Sequence, residues 1–267
     1  MSAYSRLEKR LQELDHSAKK SLGQNFLISD IVIEKILAAA ATFECQKIVE
    51  IGPGCGALTD LLIDKYTDIK LIELDRDLFN FWKSQGMDII NQDALQMDWR
   101  PYADRLLVSN LPYQISSSLV IERSLDAQPL VGMVLMFQKE VAQRIRATHQ
   151  TEHYGMLSII AQEFWDIQTV CDAGPRDFKP PPKVASRVLL FKSRKTNIAD
   201  PKAYLSFVKA AFQQRRRILK TNLQGLDAKY DLNRLIDWLK QNRKTEKVRA
   251  EELSVIEINS LYHFLKT

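Results

Sequence analysis

Short apolar runs recur along the first two thirds of the chain, and amphipathic helical patterns separate them. The runs lie at 47–51, 70–73, 87–94, 105–108 and 131–137. Between them, apolar residues fall at three- and four-residue spacing, as at 31–40 and 58–63. Strands that alternate with helices predict a parallel sheet covered by helices. Two more runs, at 167–171 and 184–191, predict the last strands.

From about Asp200 the strand pattern stops, and helical periodicity continues to the end of the chain. We therefore predict an α/β domain over residues 1–199 and a small all-α C-terminal domain over residues 200–267. The chain of 267 residues is long enough for one large domain and such an appendage.

A glycine-rich loop follows the first predicted strand of the sheet. It reads Gly52-Pro53-Gly54-Cys55-Gly56, and Glu50 lies two positions before the first glycine. A strand, a glycine loop and a helix form the nucleotide-binding unit of doubly wound folds. The spacing is G-x-G-x-G rather than the dinucleotide G-x-G-x-x-G. This variant favours S-adenosylmethionine over NAD, because S-adenosylmethionine has no pyrophosphate to place at the helix N-terminus.

Acidic residues close the next two predicted strands. Glu73 lies 21 residues after Gly52, close to the ~20 expected of an acid that binds ribose hydroxyls. Asp93 can accept a hydrogen bond from an adenine amino group. Each acid alone is equally well explained as a helix cap or a solvated loop residue. Their recurrence at successive strand ends predicts a cofactor cleft, with Gly52, Gly54, Glu73 and Asp93 as its binding residues.

The fourth predicted strand ends abruptly at Asn110-Leu111-Pro112-Tyr113, because proline lacks an N–H and fixes φ. A carboxamide and a backbone carbonyl can both accept hydrogen bonds from an exocyclic amino group, and an aromatic ring can stack on the base that carries it. Taken alone, the stretch is also explained as a proline-terminated strand with a packed tyrosine. Its place in the series of strand ends favours a catalytic role for these four residues.

A proline-rich segment, 178–183, must be extended. This segment is either a rigid connector or part of the substrate site. In the second case we expect the Phe178 ring to contact a substrate base.

Positive charge is concentrated in the predicted C-terminal domain. Residues 200–267 contain 14 Lys or Arg and 8 Asp or Glu, whereas the whole chain carries a net charge of +5. This imbalance favours a polyanionic partner. Arg215, Arg216, Arg217 and Lys220 form a candidate phosphate-binding cluster, although such a run is also typical of a solvated face.

Composition excludes several other classes of protein. No segment approaches ~20 uninterrupted apolar residues, so we expect no membrane span. The first 20 residues contain acids and lack an apolar core, which argues against a secretory signal or a transit peptide. Three cysteines without a C-x-x-C spacing, and four histidines that form no ligand set with them, predict reduced thiols, no metal site and a cytoplasmic location.

Ordered motifs along nearly the whole chain resemble the ribosomal RNA small-subunit adenine N6,N6-dimethyltransferases, the KsgA family. The matching segments include 24–27, 50–59, 73–75, 93–94, 110–113, 138–141, 154–155, 178–184, 214–216, 249–251 and 253–254. Gln114 and Arg217 depart from the residues that many members carry, Asn and Lys respectively.

The resemblance implies a Rossmann-like, seven-stranded methyltransferase sheet, a helical C-terminal domain and S-adenosylmethionine as methyl donor. By position it places cofactor contacts on Asn25, Leu27, Gly52, Glu73, Asp93 and Asn110. The implied substrate is a pair of adjacent adenosines in the 3′-terminal hairpin loop of small-subunit (16S) rRNA, within a pre-assembled small subunit, and the implied enzyme is a monomer.

Two alternatives remain at this stage. One is a large-subunit (23S) rRNA adenine methyltransferase of the macrolide-resistance type. The other is a ribosome-assembly or transcription factor that retains the fold and acts mainly by binding. The set Glu73, Asp93 and Asn110 argues against loss of activity.

Overall fold

A computed structural model describes residues 1–14, 17–19, 23–226 and 230–266. The chain divides into two compact units. The first comprises residues 1–142 and 166–193, and the second comprises residues 143–165 and 194–267. None of the helices in the described part of the chain combines the length and apolar character that crossing a bilayer requires.

The first unit is built on a seven-stranded sheet with the order β4-β3-β2-β5-β6-β9-β7. The strands are β2 (Lys47–Ile51), β3 (Asp68–Ile72), β4 (Asp88–Ile90), β5 (Leu106–Asn110), β6 (Gly132–Gln138), β7 (Trp165–Ala173) and β9 (Ser186–Ser193). Strands β4, β3, β2, β5 and β6 pair in parallel, and β9 joins β6 antiparallel. The predicted Rossmann-like methyltransferase sheet is confirmed.

Helices cover the sheet of the first unit because its strands are apolar on both faces. The helices are α1 (Ala3–Leu14), α2 (Asp30–Ala40), α3 (Thr59–Ile63), α4 (Arg76–Ser84) and α5 (Ser116–Ser124). Ile33 and Ile36 of α2, Ile48 of β2 and Val108 of β5 are fully buried in one apolar core. Burial on both faces is typical of parallel sheets.

A two-stranded ribbon pairs β1 (Phe26–Leu27) antiparallel with β8 (Phe178–Lys179). The predicted extended conformation of the proline-rich segment is thus present at its first two residues. In this ribbon Leu27 pairs with Phe178, and both are buried.

The second unit is helical and has an aromatic core. It contains α7 (Met156–Phe164), α8 (Pro201–Ala211), α9 (Leu219–Leu223), α10 (Leu235–Gln241) and α11 (Val255–Leu265), and α6 (Lys139–Arg146) runs into it from the first unit. Tyr204, Phe207 and Tyr262 pack edge to face with ring centroids 5.1 to 5.5 Å apart. Such aromatic pairs add stability beyond the area that they bury.

Three features differ from the sequence-based expectations. Helix α1 was not predicted, although Leu7, Leu11 and Leu14 have helical spacing. The second compact unit includes 143–165, which the predicted boundary at 199/200 assigned to the first domain. Helix α8 ends at Ala211 and α9 begins at Leu219, so Arg215, Arg216 and Arg217 lie in the connection between two helices.

Candidate active site

A cleft of about 880 Å³ opens at the carboxyl edge of the parallel strands in the first unit. In open α/β sheets this edge is where ligands bind. Its lining combines strand ends with residues of the segment before β1: Gly23, Gln24, Asn25, Phe26, Ile51, Gly52, Gly54, Ile72, Glu73, Leu74, Leu78, Gln92, Asp93, Ala94, Asn110, Leu111, Pro112, Tyr113, Gln114 and Ile115. The structure therefore brings Asn25, Gly52, Gly54, Glu73, Asp93 and Asn110–Tyr113 together, as predicted from the sequence.

The glycine loop turns through backbone conformations that disfavour side chains. Gly52 and Gly54 have φ values of +64° and +53°. At Gly54 a Cβ would also lie 3.2 Å from the ring of Phe26. These glycines are required because the loop folds back tightly after β2 and lines the cleft with backbone.

The acid that precedes the loop, Glu50, is buried and does not line the main cleft. The hydroxyl of Thr59, at the start of α3, donates a 2.7 Å hydrogen bond to its carboxyl group. Burial raises the pKa of Glu50 to about 8, an effect that the Thr59 hydrogen bond opposes. Glu50 thus connects β2 to the helix that follows the loop.

The carboxylate of Glu73 lies at the end of β3 and is held by backbone donors. The N–H of Asp75 donates to Oε1 at 2.8 Å, and the N–H of Gly54 donates to Oε2 at 3.4 Å. Burial nevertheless raises the pKa of Glu73 to about 7. Each oxygen retains a lone pair, so the group can still accept hydrogen bonds from a pair of ribose hydroxyls.

A polar network joins the Glu73 loop to the segment before β1. Asp75 accepts hydrogen bonds from Lys19 Nζ and from Gln24 Nε2, both at 2.9 Å. Burial opposes ionisation of Asp75, but these donors hold its pKa below the usual range. Gln24, a cleft-lining residue, is thereby held close to the Glu73 carboxylate.

Asp93 lies three residues beyond β4 and begins the short 3-10 helix Ala94–Gln96. Its Oδ1 accepts the N–H of Leu95 at 2.9 Å, and Oδ2 accepts Gln96 Nε2 at 3.3 Å. The indole of Trp99 donates a 2.9 Å hydrogen bond to the carbonyl of Ala94. These bonds fix the loop that presents Asp93 to the cleft, where apolar Leu74 and Ile115 also lie.

The carboxamide of Asn110 has a defined orientation. Its Nδ2 donates to the backbone carbonyl of Asn25 at 3.2 Å. Neither Asn110 Oδ1 nor the Leu111 carbonyl accepts a hydrogen bond from any described residue. Two acceptors are thus available next to each other at the end of β5.

The ring of Tyr113 is fixed from its hydroxyl end. The Tyr113 and Ser186 hydroxyls share a 2.7 Å hydrogen bond, and Ser186, at the start of β9, is fully buried. Burial also raises the pKa of Tyr113. Tyr113 lines the cleft, and this hydrogen bond restricts rotation of its ring away from that position.

Two residues of the predicted site lie outside this cleft. Leu27 is 1% exposed and Phe178 is 2% exposed, and both belong to the apolar core of the first unit. Leu27 lines a second, smaller cavity. Phe178, as placed in the structure, offers no face on which a base can stack.

The predicted RNA-binding cluster divides into paired and unpaired cations. Arg215 forms an ion pair with Glu251 and donates to the backbone carbonyls of Thr151 and Glu152, and Lys220 pairs with Glu246 at 3.2 Å. Arg216 and Arg217 are exposed and make no ion pair with any residue that the structure describes. These two arginines are therefore the available cations of the cluster.

Sequence reasoning did not assign several residues of the cleft, among them Gly23, Gln24, Phe26, Leu74 and Ile115. Ser186 was also missed. The resemblance named the 24–27 motif, but Phe26 contributes by lying against Gly54, a contact that appears only in three dimensions.

Two solved structures share this fold. One is a dimethyladenosine transferase from Plasmodium falciparum, with a TM-score of 0.75 and 22% identity, covering 88% of this chain and 95% of that one. The other is the 23S rRNA methyltransferase ErmE, with a TM-score of 0.66 and 24% identity, covering 90% and 99%. Both likenesses show that the chain belongs to one fold class, the Rossmann-like α/β fold.

Sequence comparison identifies the family within this class. The model of the ribosomal RNA adenine dimethylase family matches residues 15–266. A ribosomal RNA small subunit methyltransferase A from Bdellovibrio bacteriovorus is 51% identical over 265 residues, which is 97% of each chain. The chain belongs to the ribosomal RNA adenine dimethylase family.

Proposed function

We propose that this chain transfers methyl groups from S-adenosylmethionine to N6 of two adjacent adenosines near the 3′ end of small-subunit rRNA. The observation that carries the proposal is the pair of acceptors, Asn110 Oδ1 and the Leu111 carbonyl, in the same strand-edge cleft as Tyr113. The 51% identity to a small subunit methyltransferase supports this substrate over a large-subunit rRNA.

The residues of the cleft fit S-adenosylmethionine. The carboxylate of Glu73 accepts the ribose hydroxyls, and Asp93 accepts the adenine amino group between Leu74 and Ile115. The positive-φ glycines allow the backbone to approach the ligand closely. When bound, S-adenosylmethionine would supply an electrophilic methyl group on its sulfonium sulfur, which departs as a neutral thioether, a good leaving group.

The chain's own contribution to the reaction is orientation of the target amino group. The N6 lone pair of adenine is delocalised into the ring, which makes it a poor nucleophile. Asn110 Oδ1 and the Leu111 carbonyl accept hydrogen bonds from the two N6–H groups, so the nitrogen pyramidalises and its lone pair leaves conjugation with the ring. The N6 proton that the methyl group replaces passes to water. Tyr113 stacks on the extruded base. Alignment of this kind accounts for much of the rate enhancement in transfer reactions.

A monomethylated adenosine retains one N–H, so it can occupy only one of the two acceptors during the second transfer. The methyl group already added must then lie where the other hydrogen was. The base is therefore released or rotated between the two transfers.

Phosphate contacts are assigned to the second unit. Arg216 and Arg217 supply charge that no described residue neutralises, whereas Arg215 and Lys220 are held by carboxylates. The substrate is the rRNA within a pre-assembled small subunit, and the enzyme acts as a monomer in the cytoplasm, where subunits are assembled.

Methyl transfer to purified subunits tests the proposal. Small subunits from a strain that lacks this modification should accept close to four methyl groups each, because two adenosines take two methyl groups. Primer extension should place all of them on two adjacent adenosines of the 3′-terminal hairpin. Large subunits from the same strain are the control. Methylation confined to the large subunit would overturn the substrate assignment, and no methylation of either would overturn the reaction.

A further inference from the structure

Helix α5 connects the strand-edge cleft to the loop that carries Asp93. Ile115, the residue before α5, lines the cleft together with Asp93. Near the other end of α5, the guanidinium of Arg123 lies over the indole of Trp99, with Cζ 4.4 Å from the ring centroid. Trp99 in turn donates its indole N–H to the carbonyl of Ala94, the residue after Asp93, at 2.9 Å. Arg123 therefore reaches the Asp93 loop through a single aromatic side chain.

Arg123 is a buried cation with unsatisfied donors. It is 5% exposed, and its Nε and Nη1 are buried without a hydrogen-bond partner among the described residues. Asp126 Oδ2 lies 3.1 Å from Nε and Glu122 Oε2 lies 3.9 Å from Nη2, so ion pairing offsets part of this cost. Burying a charge is expensive, and an apolar side chain in such a place is often at least as stabilising. The contact with the Trp99 ring is a role that needs the charge, because a cation is attracted to the face of an indole.

The contact between Arg123 and Trp99 joins the Asp93 turn to a separate element. Asp93 accepts hydrogen bonds from Leu95 and Gln96, but both belong to the same short turn and move with it. Trp99 is buried, and its indole bond holds the backbone of that turn. Arg123 comes from α5, one of the helices that cover the sheet. The stacked pair therefore fixes the turn relative to the body of the first unit.

We propose that Arg123 is a positioning residue, which acts through Trp99 to hold Asp93 where it accepts the adenine amino group of S-adenosylmethionine. This inference rests on the proposed function, in which Asp93 binds that amino group. Without the cation the indole is no longer held on this face, and the Ala94 carbonyl and the adjoining Asp93 lose their fixed place. Glu73 lies at the end of a different strand, β3. Loss of Arg123 should therefore weaken recognition of the amino group rather than of the whole cofactor.

A pair of ligands that differ at the amino group tests this role without any turnover. Isothermal titration calorimetry compares S-adenosylhomocysteine with S-inosylhomocysteine, in which a carbonyl oxygen replaces the amino group. We expect the wild-type chain to prefer S-adenosylhomocysteine about tenfold to a hundredfold, because a carboxylate accepts a hydrogen bond from the amino group and none from the carbonyl. We expect Arg123→Met to lose most of this preference and to bind S-inosylhomocysteine as the wild type does. Arg123→Lys keeps a cation over the ring and should retain part of the preference.

Trp99→Phe tests the same path from the aromatic side and serves if Arg123→Met folds poorly. It removes the indole donor, so it should lower the preference by a factor similar to that of Arg123→Met. The double variant should show little further loss, because both residues act through one hydrogen bond. Trp238→Phe is the matched control: Trp238 is a buried indole of the second unit that donates to Ser260 at 3.2 Å. It should leave the preference unchanged.

Glu122→Gln separates positioning from a simple effect of charge. Burial raises the pKa of Glu122, and the nearby Asp93 carboxylate raises it further. This variant therefore changes the charge near Asp93 and keeps the stacked pair of Arg123 and Trp99. We expect an unchanged preference. A loss as large as that of Arg123→Met would show that charge near Asp93, rather than its position, sets the preference, and would overturn the proposed role.

The remaining outcomes separate this inference from the proposed function. An unchanged preference in Arg123→Met and Trp99→Phe, or an equal loss of affinity for both ligands, overturns the positioning role while methyl transfer stands. If the wild type binds both ligands equally, Asp93 does not recognise the amino group, and the inference alone fails. If the wild type binds neither ligand, the proposed function fails, and the inference fails with it.

Discussion

The cleft of the first unit and the basic cluster of the second unit were both predicted from short sequence patterns. The structure places the predicted cleft residues in one common environment but divides the predicted cluster between two environments. In the cleft, Gly52, Glu73, Asp93 and Asn110 all line one space. In the cluster, four neighbouring cations have two different environments: Arg215 and Lys220 are paired, whereas Arg216 and Arg217 are exposed without ion pairs to described residues.

The difference reflects how each pattern specifies position. Parallel strands bring their carboxyl ends to one edge, so a residue that follows such a strand is placed by the fold. A run of charge in a connection between helices has no such constraint. Which cation is neutralised depends on acids far along the chain, such as Glu251 for Arg215. Strand-end motifs therefore predict a site, whereas charge runs predict only a candidate surface.

The largest effect is expected at the strand end. Asn110→Ala removes one of the two acceptors for the target amino group, and we expect methyl transfer to undermethylated small subunits to fall by at least about a hundredfold, as for loss of one preorganised hydrogen-bonding group in other active sites. Single-turnover methyl incorporation measures the change.

Ser186→Ala is the control for Asn110→Ala, since it frees the Tyr113 ring but leaves both acceptors in place. It should lower the rate only several-fold. Near-normal transfer by Asn110→Ala would mean that another group in the cleft orients the target amino group. The strand-end motif would then predict functional residues no better than the charge run does.

A smaller effect is expected from the titration of Glu73. Burial raises the pKa of Glu73 to about 7. In the proposed complex, ribose hydroxyls donate to the ionised form. Below this pH the Glu73 carboxylate of the free protein is therefore protonated, and this proton must be lost when the ligand binds. Affinity for S-adenosylhomocysteine should fall as the pH decreases from 8 to 6, approaching tenfold per pH unit below 7.

Glu73→Gln cannot ionise, so its affinity should be weak and nearly independent of pH over the same range. Calorimetry at pH 8, 7 and 6 compares the two proteins. If affinity changed with pH equally in both proteins, the titrating group would be a residue other than Glu73. Glu73 would then not be the residue that binds the ribose.

The smallest effect is expected in the basic cluster. Replacing Arg216 and Arg217 by Ala should weaken rRNA binding about fivefold and reduce the dependence of log K on log salt concentration by about one to two units, because each lost phosphate contact reduces the slope by about one. Filter binding over a series of salt concentrations measures both quantities.

Arg215→Ala is the matched comparison within the cluster. It should leave the salt slope unchanged and lower the free energy of unfolding by about 1 kcal/mol, because it removes a partly exposed ion pair and two bonds to carbonyls. An unchanged stability together with a reduced slope would make Arg215 a phosphate contact and would remove the difference between the paired and unpaired cations.

Much of the first unit was predictable because periodicity and strand-end residues are local signals. The seven-stranded sheet and the positions of Gly52, Glu73, Asp93 and Asn110 follow from them. Phe178 shows the limit of this reasoning. The proline-rich segment was predicted to be extended, and its first two residues form a strand, but the Phe178 side chain is buried in the ribbon with Leu27. Local sequence determines whether a segment is extended and does not determine which face is covered.

The sequence by itself determined the fold class, the order of the ligand-bearing strand ends and the sign of the charge in the C-terminal region. Only the tertiary structure decided that Asn110 donates to Asn25, that Ser186 holds Tyr113, that Arg215 is paired, and that Arg6 of α1 pairs with Asp60. Each of these contacts joins residues tens of positions apart. Their partners are chosen by how elements pack, and packing depends on the whole chain rather than on any one stretch of it.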